Sequence, residues 1–391
     1  MRKYYRTYLF IFILTILAGL LAYNYFQRPF VEQAPSPTVE AQPTPTPEVP
    51  KKQLNLRQKL AQLLAVPLSL DALEQQGEDA FVADRDTREA LTWIKEQQPG
   101  FVVYFGQNVS TAAASLSSAT LAAAFGPADY APLVMVDHEG GAVQRLSGAG
   151  FTKLDPWQRV VDDYTLAQQQ ALWQQSALEL YQVGVNIVLA PVVDLASNSA
   201  VLKSRVSGDF ERTYQAAERF VYIFSQYGLM PVLKHFPGIG ASRVDLHQQA
   251  GVVELGADDT RMFSKLLDRY PNVAVMTSHL RLRDKLAGQP CSLSAECLKQ
   301  FPESYPQVLL ITDDLNMKAV RANVGSSEEK ELTQVAIEAV RAGNHVLLFA
   351  EGVSWYDLDA VIRALEQEYQ DSASFREQIE AALAKVLALK R

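Results

Sequence analysis

The sequence predicts an α/β protein, a TIM-type (β/α)8 barrel standing behind an N-terminal transmembrane helix and a Pro-rich linker. Three observations lead there. Eight short apolar runs alternate with longer amphipathic stretches after residue 51, the pattern of parallel strands joined by helices. Strongly polar residues gather at the C-terminal ends of those runs, the end at which barrels carry their sites. A doubly wound open sheet is the runner-up, but no glycine-rich dinucleotide fingerprint follows the first run.

The elements follow in chain order. From Thr7 to Gln27 the chain has no charge, and most residues are Leu, Ile, Phe or Ala. A helix of about 20 such residues rises roughly 30 Å, enough to cross a bilayer core. Tyr4, Tyr5 and Tyr8 flank one end, and Tyr23, Tyr25 and Phe26 the other, as interfacial aromatics do. Arg2, Lys3 and Arg6 precede the segment while Arg28 alone follows closely. That asymmetry keeps the N-terminus cytoplasmic and predicts a membrane-anchored protein whose folded part is extracytoplasmic, at the cell surface or in the periplasm. A cleaved signal peptide is the alternative, although no Ala-x-Ala site ends the apolar run and no cysteine stands there for lipidation. Residues 1–28 are therefore read as a transmembrane anchor. Residues 29–50, PFVEQAPSPTVEAQPTPTPEVP, cannot pack a core and form an extended linker of about 3.1 Å per residue. Residues 51–391 remain for the barrel domain.

The predicted strands are QLLAVPL (62–68), FVVYF (101–105), PLVMVD (132–137) and VNIVLAP (185–191), then LMPVLKHF (229–236), NVAVMTSH (272–279), VLLITDD (308–314) and HVLLFA (345–350). Between them lie helical patterns such as TREALTWIKEQQ, RTYQAAERFVYIFSQYG and EKELTQVAIEAVRAG, several closed by Gly as helix C-termini tend to be. No short-period repeat points to a solenoid or propeller.

Composition narrows the function. Hydrophobic residues at 48% and charged residues at 20% are those of a globular protein with a real core. A formal net charge of -8 argues against nucleic acid as a partner, because phosphate recognition needs a basic footprint. Cys291 and Cys297 are the only two cysteines. They could pair in an oxidising compartment or stay as two buried thiols. Asp137, Lys234, His235, His279, Asp313 and Asp314 all fall at C-terminal strand ends. Six such residues at one end of four strands are hard to explain by structure alone. Of Asp313 and Asp314, strand alternation lets only one face the barrel axis.

The segments VMVDHEGGAVQRL (134–146), GVNIVLAPVVDLA (184–196), KHFPGIG (234–240), VMTSHL (275–280) and ITDDLNM (311–317) occur in this order. Together they resemble glycoside hydrolase family 3, specifically its single-domain β-N-acetylhexosaminidases of the NagZ type, over most of residues 51–350. The resemblance implies a retaining exo-β-N-acetylglucosaminidase acting on cell-wall, peptidoglycan-derived glycans, with no cofactor and no metal, and a monomer is expected. Asp313 matches the family's catalytic nucleophile, and a retaining glycosidase needs one carboxylate under the anomeric carbon. Asp314 is then a loop or cap residue. Asp245 and His247 match an acid/base pair, Asp-x-His, on a mobile loop after the fifth strand. In such a pair the histidine protonates the leaving oxygen and then activates water, while the carboxylate orients the ring and favours its protonated form. The Gly-Ile-Gly-Ala-Ser run before it would let the loop swing.

Asp137, Arg145, Arg205, Lys234 and His235 match residues that hold sugar hydroxyls, a task suited to charge-assisted hydrogen bonds. Gly140 and Gly141 would turn the backbone tightly beside the sugar. Glu139 is read as a structural or supporting group rather than a second acid, and His138 is given no role. The chain departs from the family pattern at Ile239, Leu246 and Ala142, where histidine, serine and arginine are usual, and in the FPESYPQ lead-in to the seventh strand. Other readings are a two-domain β-glucosidase relative, a phosphorolytic member of the family, or a wall-glycan-binding protein without turnover. A metal-dependent barrel hydrolase lacks its His-x-His pair here.

Overall fold

A computed structural model of the chain describes residues 51–76, 84–126, 129–196, 202–245, 251–283, 288–322 and 330–390. The expected transmembrane anchor and linker lie outside the described residues, and so does His247.

Eight strands form one sheet: β1 (Leu64–Ser69), β2 (Phe101–Phe105), β3 (Leu133–Val136), β4 (Ile187–Val188), β5 (Met230–Phe236), β6 (Ala274–Thr277), β7 (Leu309–Thr312) and β8 (Leu347–Leu348). From β1 to β7 each strand pairs in parallel with the next, and β1 pairs in parallel with β8. The seam between β7 and β8 is joined by a parallel bridge of Ile311 to Val346, where Thr312 N–H donates to the Val346 carbonyl at 2.9 Å. The predicted barrel is present, with one strand for each of the eight apolar runs, β1 reaching one residue past its run to Ser69.

The reason is visible strand by strand. β2 is buried along its whole length, because a parallel strand covered on both faces has no polar side to offer. β5 is buried from Pro231 to Phe236, and Lys234 and His235 share that burial in spite of their polarity. Helices start where short polar side chains satisfy exposed N–H groups. Asp84 accepts from Thr87 N–H at 2.8 Å, and Asp209 from Arg212 N–H at 2.9 Å. The helix Phe210–Gln226 buries Thr213, Ala216, Ala217, Phe220 and Phe224 on one stripe, the spacing of an amphipathic helix laid on a barrel. The helix Leu332–Ala342 stops at Gly343, which takes the left-handed φ of 106° that a β-carbon disfavours.

Two small pairings organise the C-terminal end of the barrel. After β3 the chain folds into a hairpin, His138–Gly140 against Val143–Gln144. Gly140 has a φ of 98°, and a β-carbon there would sit 2.4 Å from the Asp155 carbonyl, so only glycine fits. Val252–Val253 pairs with Arg281–Leu282 and ties the loop after β5 to the one after β6. A disulfide joins Cys291 to Cys297, which decides between the pair and the free thiols.

Candidate active site

The C-terminal strand ends surround a cavity of about 500 Å³, within the range of small-molecule sites. Of the eight expected site residues, seven border it: Asp137, Arg145, Arg205, Lys234, His235, Asp245 and Asp313. The eighth, His247, lies outside the described residues. The floor is apolar, made by Val103, Leu189, Met276 and Leu348.

One wall is a chain of alternating charges. Asp194 accepts from His235 Nδ1 at 2.7 Å and from His235 N–H at 3.1 Å. A carboxylate only accepts, so Nδ1 carries the proton and Nε2 faces Arg205 Nη2 at 3.5 Å. Arg205 reaches Glu139 through Nε at 2.8 Å and Nη2 at 2.9 Å, a bidentate fork. The same Glu139 lies 2.5 Å from Lys234 Nζ, which also donates to Asp137 at 2.9 Å. Burial alone would push the Glu139 carboxyl up, but Lys234 and Arg205 outweigh it and hold the carboxyl down at about 2. Burial likewise opposes the Lys234 charge, while Asp137 and Glu139 raise its pKa above the ordinary lysine range. Both cations therefore stay charged, and the wall presents fixed donors.

Opposite this wall the chain leaves β7 at Thr312 and turns. Asp313 N–H donates to the Thr277 carbonyl at 2.9 Å, and Asp313 Oδ1 accepts from Asp314 N–H at 2.9 Å. Asp314 Oδ1 accepts from Asn316 N–H and Ala350 N–H, both at 3.0 Å. Asp314 is thus a turn residue, as its place in ITDDLNM implied. The expectation that strand alternation would separate the two needs a different basis. Both residues border the cavity, but the strand has ended at Thr312, so period-two alternation does not govern them.

The segment after β5 is tied to the barrel at its start, within the run Gly238–Ser242. Ile239 N–H donates to Asp194 Oδ1 at 2.7 Å, and a β-carbon on Gly240 would meet the Leu195 carbonyl at 1.9 Å. The glycine serves a close backbone approach. Beyond it Asp245 is exposed at the cavity rim. Arg145 borders the cavity and lies 5.5 Å over the Phe105 ring, and its buried Nε has no hydrogen-bond partner among the described residues.

One member of the charged wall, Asp194, was not singled out by sequence. Asp194 sits six residues past the two-residue β4, at the same end of the barrel as the others, and the rule of polar residues at strand ends applies to it equally. Glu139 was read as a supporting group, and its side chain is 1% exposed and serves two cations at once. Other histidines are structural. His138 bonds Ser176 at 2.9 Å and His345 accepts from Leu310 N–H at 2.8 Å, and burial pushes both imidazoles down to about 3.

Comparison with known proteins agrees with this geometry. Residues 55–389 match the glycosyl hydrolase family 3 N-terminal domain. A beta-hexosaminidase of Glaesserella parasuis is 29% identical over 255 residues, which cover 63% of this chain and 71% of that protein. Beta-hexosaminidase LpqI of Mycobacterium tuberculosis is 26% identical over 355 residues, 86% of this chain and 83% of that one. The crystal structure of a β-N-acetylhexosaminidase from Beutenbergia cavernae superposes with a TM-score of 0.73 at 24% identity, over 86% of this chain and 99% of its own. A family 3 β-N-acetylglucosaminidase from Paenibacillus gives 0.72 at 25% identity, over 86% of this chain and 62% of its own. With the barrel, the charged wall and a match running almost from end to end of the described domain, the chain belongs to glycosyl hydrolase family 3 and is a glycoside hydrolase.

Proposed function

We propose that this hydrolase is a retaining exo-β-N-acetylglucosaminidase that removes terminal N-acetylglucosamine from cell-wall, peptidoglycan-derived glycans. The observation that carries the reading is one cavity in which Asp313 faces a fixed wall of paired charges. The names of the relatives support the choice of an N-acetylated sugar. The closed apolar floor supports action on a chain end rather than along a polymer.

In this account Lys234, Asp137, Arg145, Arg205 and His235 bind sugar hydroxyls, and the ion pairs of Lys234, Asp137, Arg205 and His235 keep those four from reorganising as the sugar flattens toward an oxocarbenium ion. An Asp313 oxygen attacks the anomeric carbon as the glycosidic bond breaks, and His247 gives its proton to the departing oxygen. Water then attacks the same carbon, His247 takes the proton, and the Asp313 carboxylate leaves. Asp245, two residues before His247, orients the imidazole. We further propose that the domain is anchored in the membrane by residues 1–28 and works outside the cytoplasm. The Cys291–Cys297 disulfide supports that compartment, since structural disulfides persist where conditions are oxidising.

The test compares hydrolysis of a chromogenic N-acetyl-β-glucosaminide with that of the matching β-glucoside. Strong preference for the N-acetylated sugar supports the reading. Equal rates, or turnover of the β-glucoside alone, would contradict it.

A further inference from the structure

Two residues past β6, His279 is fully buried and does not border the cavity. Its ring bridges two loops. Nε2 lies 2.8 Å from the Asp314 carbonyl, and Nδ1 lies 2.7 Å from Ser292 Oγ. A carbonyl can only accept, so Nε2 carries the proton, and a neutral ring then accepts the serine hydroxyl at Nδ1.

The Ser292 side of this bridge is rigid. Ser292 N–H donates to the Ser278 carbonyl at 3.0 Å. The Ser292 carbonyl accepts from Asn344 Nδ2 at 2.7 Å, and Asn344 is itself held by Thr277 Oγ1 at 2.7 Å and the Ala339 carbonyl at 2.8 Å. The disulfide Cys291–Cys297 closes the loop that carries this serine. The far side of the bridge is the turn after β7. There the Asp314 carbonyl is gripped by His279 and its carboxylate by Ala350 N–H. With both ends of the residue fixed, Asp314 N–H is aimed at Asp313 Oδ1 at 2.9 Å. That bond, a neutral donor on a carboxylate, ties the Asp313 side chain to the position of the Asp314 peptide.

We infer that His279 is a positioning residue for the nucleophile, holding the Asp313 carboxylate at its attacking height through the Asp314 peptide. This rests on the reading of Asp313 as nucleophile. Without the imidazole the Asp314 carbonyl is left with Met317 N–H alone, at 3.1 Å, the turn loses its tie to the rigid Ser292 side, and Asp313 moves with it. Displacement on the order of 1 Å costs about 10²-fold in rate. Sugar binding by the opposite wall, which shares no hydrogen bond with His279 among those described, stays as it was.

The experiment measures the rate at which a 5-fluoro N-acetylglucosaminyl fluoride labels the full-length protein, per folded site, together with the dissociation constant for N-acetylglucosamine. His279→Ala should slow labelling by about 10²-fold and leave sugar binding within about twofold. His279→Gln keeps a donor within reach of the carbonyl and should recover most of the rate. A structural role alone would lower the melting temperature and leave labelling per folded site unchanged, and that result would overturn the inference. Should His279→Ala not fold, His279→Asn, too short to reach Asp314, and Ser292→Ala carry the test. Both should slow labelling, and wild-type rates in both would overturn it. Label on another residue of the wild-type protein would remove the nucleophile reading and the inference together. Label on Asp313 at equal rates in wild type and variants would remove the inference alone.

Discussion

Replacing Glu139 by glutamine keeps the shape of the charged wall and removes the charge at its centre. The carboxylate accepts from Arg205 at 2.8 and 2.9 Å and lies 2.5 Å from Lys234 Nζ. Hydrogen bonds to charged groups contribute about 1.5–3 kcal/mol each, but these three share two cations and do not add. The closer guide is the cost of leaving a buried ion pair broken, about 3–5 kcal/mol. The glutamine also turns an N–H₂ group toward one of the cations. We expect Glu139→Gln to lose about 3–5 kcal/mol of unfolding free energy at pH 7, read by urea denaturation with tryptophan fluorescence.

The pH dependence gives an independent check. The folded-state carboxyl is held at about 2, below its ordinary 4.5. A depressed pKa stabilises the fold fully above the unfolded value, and that stability is lost as pH falls through the folded one. The gap between wild type and variant should therefore be full at pH 7 and narrow between pH 4.5 and 2. A gap under about 1 kcal/mol at pH 7, the worth of an exposed pair, or one that stays constant into acid, would refute the reasoning.

Three further outcomes are expected. Reducing Cys291–Cys297, which are six residues apart in sequence, should lower stability by about 2 kcal/mol on the chain-entropy account, and no change in the urea midpoint would argue against the bond. His247→Ala should slow poor leaving groups far more than activated aryl glycosides, and azide should restore turnover of the aryl substrate, because it attacks the intermediate without a base. His235→Ala should weaken sugar binding without azide rescue, and the opposite pattern would mean that the two histidines have each other's roles. Protease added to intact spheroplasts should cut within residues 29–50 and release the domain, whereas a domain cut only after lysis would reverse the topology.

Much of this protein was legible in the sequence because parallel strands buried on both faces leave uninterrupted apolar runs, as FVVYF at 101–105 shows. The polar residues at the ends of those runs gave a candidate site, since a barrel gathers all its C-terminal strand ends at one mouth. What was missed lies where the chain is irregular. Asp194 follows a strand of only two residues, and nothing in its spacing says that it folds back under His235. The glycines of 238–240 read as freedom because sequence cannot show that the Leu195 carbonyl lies 1.9 Å from where a β-carbon would be. Alternation does not reach Asp313 and Asp314 because β7 stops at Thr312, two residues short of the predicted end. The pairing of Cys291 with Cys297 depends on a loop closing after β6, which composition does not encode.

The central claim is that Asp313 becomes covalently linked to the sugar, and one measurement addresses it directly. Peptide mapping of protein trapped with a 5-fluoro N-acetylglucosaminyl fluoride should place the label on the first aspartate of ITDDLNM. The turnover product of an ordinary substrate, followed by NMR, should appear first as the β-anomer, because two displacements retain configuration. Label on Asp314 or any other residue, or a first-formed α-anomer, would contradict the account.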